Sequence, residues 1–501
     1  MLAAQFFTSN GVLWRDEVGS VNTQSAPTIA EMWRLHEFDS FPLLWALMLR
    51  GWLMAGGTSD VSLRLFGMIG IAAWVVAAWL VARRIGRGVP LVGLALVVVN
   101  PEVVRWASTV RPWGLGAALG AIAAVAMWDL TTVRSRRTVI VAALAAVVAV
   151  QCVYQNAIVL AACVLASGVV ALRRRQWPCV LVPLAIVAAA AVSLAPYAGI
   201  MSRRAEWNHL GQIPLTVSML LQQAGGVLGA SGSWALLVWL ALAMVALALV
   251  GRQLRHDSGV YFATLVAAAT AGFGVFYLWF RYFPQPWYFF GAMAMWSVGL
   301  EAAVRTLAPA RSLRVVLAIG ALGIVMAGYR PASEALGQRL TNLDAIAARV
   351  TSMAGPDDLV VVSPWYFCVT FDRYYRGRAP VSSVPPLADH TMHRYDLVKA
   401  QMMAADPMAA LLARVQRVLS SGHHVWYVGR IDVPADGHLP ALLPPPRPES
   451  GWSVVPYQKI WSLQLGSFLR DHVGVGPRIP IGVTGGRLED AALYDLSGWR
   501  D

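Results

Sequence analysis

Between residues 63 and 329 the chain is a succession of apolar runs, each close to the roughly 20 residues that a helix needs to cross a bilayer. About ten can be read: 63–82, 89–104, 111–130, 138–152, 157–172, 178–197, 233–250, 259–280, 287–305 and 312–329. Backbone polar groups inside lipid must be satisfied within the segment, so runs of this kind dictate helices. Composition agrees. Residues of the AVILMFWYC set make up 57% of the 501 residues and charged residues only 13%. Soluble domains sit near a quarter charged, which weighs against a fully soluble chain, and the high hydrophobicity excludes a wholly disordered one.

Arginine placement gives the runs a sidedness. Alternate loops hold Arg83, Arg84 and Arg87; Arg134, Arg136 and Arg137; Arg173, Arg174 and Arg175; Arg252 and Arg255; and Arg305, Arg311 and Arg314. The intervening loops carry chiefly Arg105, Arg111, Arg203, Arg204 and Arg281. Arginine-rich loops face the cytoplasm, so the other set faces outward. The net charge of +13 is therefore a topology signal, and no basic–aromatic module for nucleic acid accompanies it.

Three parts follow. Residues 1–62 form an outward segment, 63–329 a transmembrane helical domain and 330–501 an extracytoplasmic α/β domain. The stretch 41–57 is short for a span and is interrupted by Arg50, which favours an interfacial or re-entrant helix. In the last part 358–367, 424–430 and 452–465 read as strands from their β-branched and aromatic content, 402–419 as a helix, and 439–451 as a proline-rich connection. Cys152, Cys163, Cys179 and Cys368 have no metal-binding spacing and make no disulfide framework.

The first chemical candidate is Leu-Trp-Arg-Asp-Glu at 13–17, where Asp16 and Glu17 precede the membrane domain. Adjacent carboxylates suit a general base beside a hydrogen-bond or metal anchor. An ordered series follows: EMWRLHEFDSFPLLWALMLRGWL (31–53), GGTSDVSLRLFGMIG (56–70), NPEVVRWASTVRPWGLGAAL (100–119) and, at the outer end of a later run, FRYFPQPWYFF (280–290).

This series resembles the GT-C-type membrane glycosyltransferases, in particular bacterial relatives of the protein O-mannosyltransferases and the aminoarabinose transferases. Their pattern is W-x-D-E, an HPPLYYLLL-like segment, a G-x-S-E-x-x-x-R-L segment, then a proline followed by RPY-x-L. The likeness is best over residues 12–130 and elsewhere rests on topology. It implies a transferase that moves a sugar from a polyprenyl-phosphate donor to an acceptor hydroxyl at the outer face of the bacterial inner membrane, with inversion. In that scheme Asp16 takes the acceptor's proton and Glu17 orients the acceptor or helps to hold a divalent cation, on which members of the family differ.

The leaving phosphate calls for cations where negative charge develops. Arg111 and Arg281 are the first candidates, and Arg64 the next, because guanidinium grips phosphate in a bidentate fashion. Trp113 and Tyr282 are placed to stack on sugar faces. The chain departs from the family pattern in three ways: Thr109 stands where an acidic residue is usual, with Glu102 as its substitute; the HPP motif shrinks to Ser40-Phe41-Pro42, with Asp39 beside it; and the helix that usually precedes W-x-D-E is missing, a place another membrane subunit could fill. These departures keep two other readings open, a non-catalytic scaffold within a larger complex and a lipid or sugar transporter.

Overall fold

The computed structural model describes residues 1–39, 41–86, 92–210, 212–228, 254–281, 284–307, 311–434, 441–445, 453–483 and 485–500. They form two compact units, one of residues 1–9, 41–199 and 214–337 and one of residues 10–40, 200–213 and 338–501. The 330–501 segment supplies most of the second unit, joined there by residues 10–40 and 200–213.

The first unit is helical. Among the described residues six helices are long and apolar enough to cross a membrane: Asp60–Ile85, Trp113–Thr132, Asn156–Arg174, Pro178–Trp207, Asp257–Phe280 and Val315–Leu336. Two further apolar helices, Arg136–Cys152 and Phe290–Leu307, have 17 and 18 residues. The run at 233–250 lies outside the described residues. Val315, Ile319, Leu322 and Met326, one stripe at helical spacing, are exposed on the last span. Such a stripe is costly against water and at home against lipid. The Trp113–Thr132 helix is the most enclosed, and its small residues allow close approach. A Cβ on Gly114 would stand 2.8 Å from both the backbone of Gly70 and the Cβ of Ala107.

The run at 89–104 is corrected. It is not one span but two seven-residue helices, Val92–Val98 and Pro101–Ala107, each about 10 Å long at 1.5 Å per residue. Asn100 breaks them. Its side-chain oxygen accepts from the Glu102 and Val103 amides at 3.0 and 3.1 Å, and Pro101 opens the second helix. The helix in the 41–57 stretch, Leu43–Met54, has 12 residues, about 18 Å, well short of the roughly 30 Å hydrocarbon core. The N-terminal Leu2–Ser9 helix is tied to the end of the last span: Gln5 Nε2 donates to the Ser333 carbonyl at 3.0 Å and Ser9 Oγ to the Leu336 carbonyl at 2.8 Å.

The second unit is an α/β domain around five strands: β1 (Leu359–Val362), β2 (Val381–Ser383), β3 (Val425–Gly429), β4 (Gly474–Ile479) and β5 (Ala492–Ser497). Their order is β2-β1-β3-β5-β4, with β1 parallel to β2 and β3, and β5 antiparallel to β3 and β4. Alternate residues feed two cores. Leu359, Val361, Val425, Tyr427 and Leu496 pack with Trp461, Leu465, Leu469 and Val415, whereas Val360, Val362, Trp426, Val428 and Leu493 pack with Ile346, Val350 and Phe371.

Two sequence expectations change here. Residues 452–465 do not form a strand; Val454–His472 is a helix. Trp461, Leu465 and Leu469 recur every four residues and are buried, a helical period that the β-branched pair Val454–Val455 obscured. Pro456 lies in the first turn, where no amide donor is required. The strand expected over 358–367 stops at Val362, before Ser363-Pro364, and a helix runs from Phe367 to Tyr374. The helix expected over 402–419 is Ala409–Ser420, preceded by a separate Tyr395–Met403 helix. Of the proline-rich 439–451 connection, only 441–445 are described.

Candidate active site

The acidic motif opens a helix, Arg15–Gln24, in the second unit. Glu17 closes back on its start: Oε2 accepts the Trp14 amide at 3.2 Å, and the residue is fully buried. A carboxylate in the first turn also complements the positive end of the helix dipole. Asp16 sits one residue earlier, with a side chain 19% exposed. The two carboxylates therefore part: one shapes the backbone and the other keeps access to solvent.

Arg15 turns toward the sheet. Its guanidinium lies 4.5 Å from the ring centre of Tyr366, and Nη1 is 3.6 Å from Glu489 Oε1. Glu489 is buried and takes Thr370 Oγ1 at 2.9 and 3.1 Å on its two oxygens. Burial pushes the Glu489 carboxyl up to about 7, against the opposing pull of Arg15, Thr341 and Thr370.

A second partner arrives on the segment after β2. His393 Nδ1 lies 3.8 Å from Asp16 Oδ1, the same oxygen that Arg15 Nε approaches at 3.9 Å. The segment is pinned repeatedly. Asn22 Nδ2 donates to the Thr391 carbonyl at 2.7 Å. Arg394 pairs with Asp389 and, at 2.7 Å, with Asp396, and lies over the Phe38 ring at 5.1 Å. Burial would raise the Asp389 carboxyl, but the Thr391 and Arg394 hydrogen bonds outweigh it and hold it below its ordinary value.

His390 Nε2 is 3.1 Å from Ser383 Oγ and Nδ1 is 3.0 Å from Asp372. The spacing imitates a hydrolase triad, but the chemistry differs. Ser383 is fully buried, gives its proton to the Pro385 carbonyl at 2.7 Å and accepts the Leu387 amide at 3.0 Å. The trio locks a turn.

Asp39 also belongs to the second unit and accepts from Ser20 Oγ at 3.2 Å. His36 is buried, its ring stacked on Trp33 at 6.0 Å.

The remaining candidates lie in the first unit. Glu102 uses both oxygens within its own helix, taking Arg105 Nη1 at 2.7 Å and Trp106 Nε1 at 2.8 Å. Arg105 in turn reaches the Ala335 carbonyl. Arg111 is buried, with its guanidinium 4.3 Å from the ring centre of Phe41, and Phe41 meets Trp113 edge-on at 4.9 Å. Trp113 lines a cleft with Gln155, Asn156, Trp287 and Tyr288. Arg64 is buried at the start of the first span. Arg281 is exposed and caps the Asp257–Phe280 helix in the left-handed conformation at φ 54°, a helix end that favours a cation. Tyr282 lies outside the described residues. Among the described residues no three His, Cys, Asp or Glu side chains converge in a way that could hold a metal ion.

His393 and Glu489 were not legible as site residues. Neither stands in a motif, and more than 370 residues separate His393 from Asp16, so no local pattern connects them.

The fold is similar to that of a GT-C-type membrane glycosyltransferase. The particular likeness is to ArnT from Cupriavidus metallidurans. The crystal structure of that protein bound to undecaprenyl phosphate superimposes with a TM-score of 0.54 at 14% identity, covering 85% of this chain and 91% of that one. Its apo structure gives a TM-score of 0.52 at 14% identity, with 85% and 90% covered. No family model matches the sequence, and no curated protein matches it.

Proposed function

We propose that this chain is a membrane glycosyltransferase that moves a sugar from a polyprenyl-phosphate donor to an acceptor hydroxyl, with Asp16 as the base. The observation that carries the reading is the combination of an ArnT-like fold with a W-R-D-E motif that keeps Asp16 partly open while Glu17 is spent on the backbone. The comparison protein binds undecaprenyl phosphate, which supports a donor of that class.

In this reaction the acceptor oxygen attacks the anomeric carbon as its proton passes to the Asp16 carboxylate. The bond from that carbon to the phosphate oxygen breaks, and its electron pair leaves with the phosphate. Inversion follows from a single displacement. Arg111, Arg64 and Arg281 are the proposed phosphate partners and Trp113 a proposed sugar platform, because guanidinium stabilises the developing charge and an indole face covers a sugar ring. The arginine distribution supports an outward placement of residues 1–62 and 330–501 at the bacterial inner membrane.

The test is turnover by the full chain in proteoliposomes. Supplied with radiolabelled polyprenyl-phosphate sugars and a membrane extract as acceptor, it should release polyprenyl phosphate and label an acceptor. Uptake or flipping of the lipid with no bond broken would replace this reading with transport, and failure to bind undecaprenyl phosphate at all would remove it.

A further inference from the structure

His393 reaches Asp16 from far along the chain, and its position is built. It stands between two anchors. On one side are the Asn22–Thr391 hydrogen bond and the Asp389 cap of the Thr391 amide; on the other are the Arg394 pairs with Asp389 and Asp396. The His390–Ser383 contact fastens the same segment to the end of β2. The ring itself meets Trp365 edge-on at 6.0 Å and Tyr395 at 6.1 Å, which limits its rotation. Seven polar or aromatic contacts thus hold the stretch 390–394, and from it His393 comes within 4 Å of the Asp16 carboxylate. A segment serving only to connect β2 to the next helix would not need that ring 22% exposed beside a carboxylate 19% exposed.

We propose that His393 is a positioning residue: its Nδ1, at ion-pairing distance 3.8 Å from Asp16 Oδ1, sets where that oxygen lies, so that the α/β domain sets the orientation of the base. The inference rests on the transfer reading above and adds the residue that makes Asp16 a directed base. A carboxylate on a first-turn helical residue can rotate about its side-chain bonds, and proton transfer demands a hydrogen-bonding approach of about 2.6–3.2 Å to the acceptor. Two nitrogens flank Oδ1 at ion-pairing distance, Arg15 Nε at 3.9 Å and His393 Nδ1 at 3.8 Å, and restrict that rotation. Arg15 also shares its charge with Glu489, so His393 is the partner of Asp16 not shared with a second carboxylate in this cluster. The proton taken from the acceptor ends on Asp16, and His393 neither gains nor loses one.

Two measurements on the full chain test this. In the transfer assay, H393A should lower kcat at least about tenfold with the donor KM within about twofold, the signature of an interaction needed for the chemical step. H393N keeps a donor near the Nδ1 position and should recover most of kcat. Retention of kcat by H393A, or equal loss in H393A and H393N, overturns the role. The second measurement needs no turnover. In nanodiscs with 15N-labelled histidine, the His393 ring signal, identified by its loss in H393N, should move in D16N; an unmoved signal overturns the pairing. If wild type transfers sugar, D16N is dead and H393A is normal, this inference fails alone. If no donor is turned over, the transfer reading fails, and the ring signal alone decides whether His393 holds Asp16.

Discussion

Arg15 Nη1 lies 3.6 Å from Glu489 Oε1, so the residue before the candidate base is held by a buried carboxylate from near the other end of the chain. The contact ties the acidic motif to the hairpin side of the α/β sheet, where Glu489 also shares Thr370 with the Phe367–Tyr374 helix. The consequences differ for stability and for chemistry.

For stability, Glu489 titrates at about 7 in the folded chain, whereas an unfolded glutamate titrates near 4.3. The folded state therefore binds this proton more tightly. Its contribution is complete below about pH 4 and is lost as pH rises through about 7. Wild type should lose thermal stability over that window by up to a few kcal/mol, and E489Q should flatten the dependence. Melting curves of the detergent-solubilised chain from pH 4 to 8 check this; identical slopes for the two proteins would contradict it.

For chemistry, D16N should stay folded while sugar transfer drops by about 10²–10⁴-fold, the usual worth of a general base. Release of polyprenyl phosphate, measured beside the melting temperature, separates the two. Turnover within a few-fold of wild type would remove Asp16 from the role.

Glu17 is predicted to behave differently from its neighbour. E17Q retains an oxygen for the Trp14 amide and should remain active. E17A leaves that buried donor unpaired and should cost about 1–3 kcal/mol. Comparing melting temperature and turnover of both variants decides between an anchor and a participant, since a catalytic carboxylate would not tolerate the amide.

Glu102 offers the same contrast in the helical unit. Its pair with the fully buried Arg105 makes E102A leave an uncompensated charge, at a cost of about 3–5 kcal/mol. The variant should accumulate poorly in membranes and melt early. Normal yield with a raised donor KM would instead support the substrate contact inferred from sequence.

Arg111 should act through geometry as well as charge. Its guanidinium stacks on Phe41, and a lysine cannot reproduce a flat, bidentate group. R111K should therefore raise the donor KM nearly as much as R111A, measured at saturating acceptor. Full rescue by lysine would reduce the site to a point charge.

Sequence alone determined what is local. Run length and hydrophobicity prescribe helices in a bilayer, so most of the spans were legible, whereas the Asn100-Pro101 break that divides the 89–104 segment was read through. The order of short motifs was enough to indicate the GT-C resemblance that the fold shares. What failed was wherever the deciding partner lies far away. Val454–Val455 suggested a strand until the four-residue repeat of Trp461, Leu465 and Leu469 met the sheet. His393 and Glu489 have no distinguishing context of their own. Only tertiary folding brings a side chain across hundreds of residues to within hydrogen-bonding or ion-pairing reach, and that proximity is what turns an ordinary histidine or glutamate into part of a site.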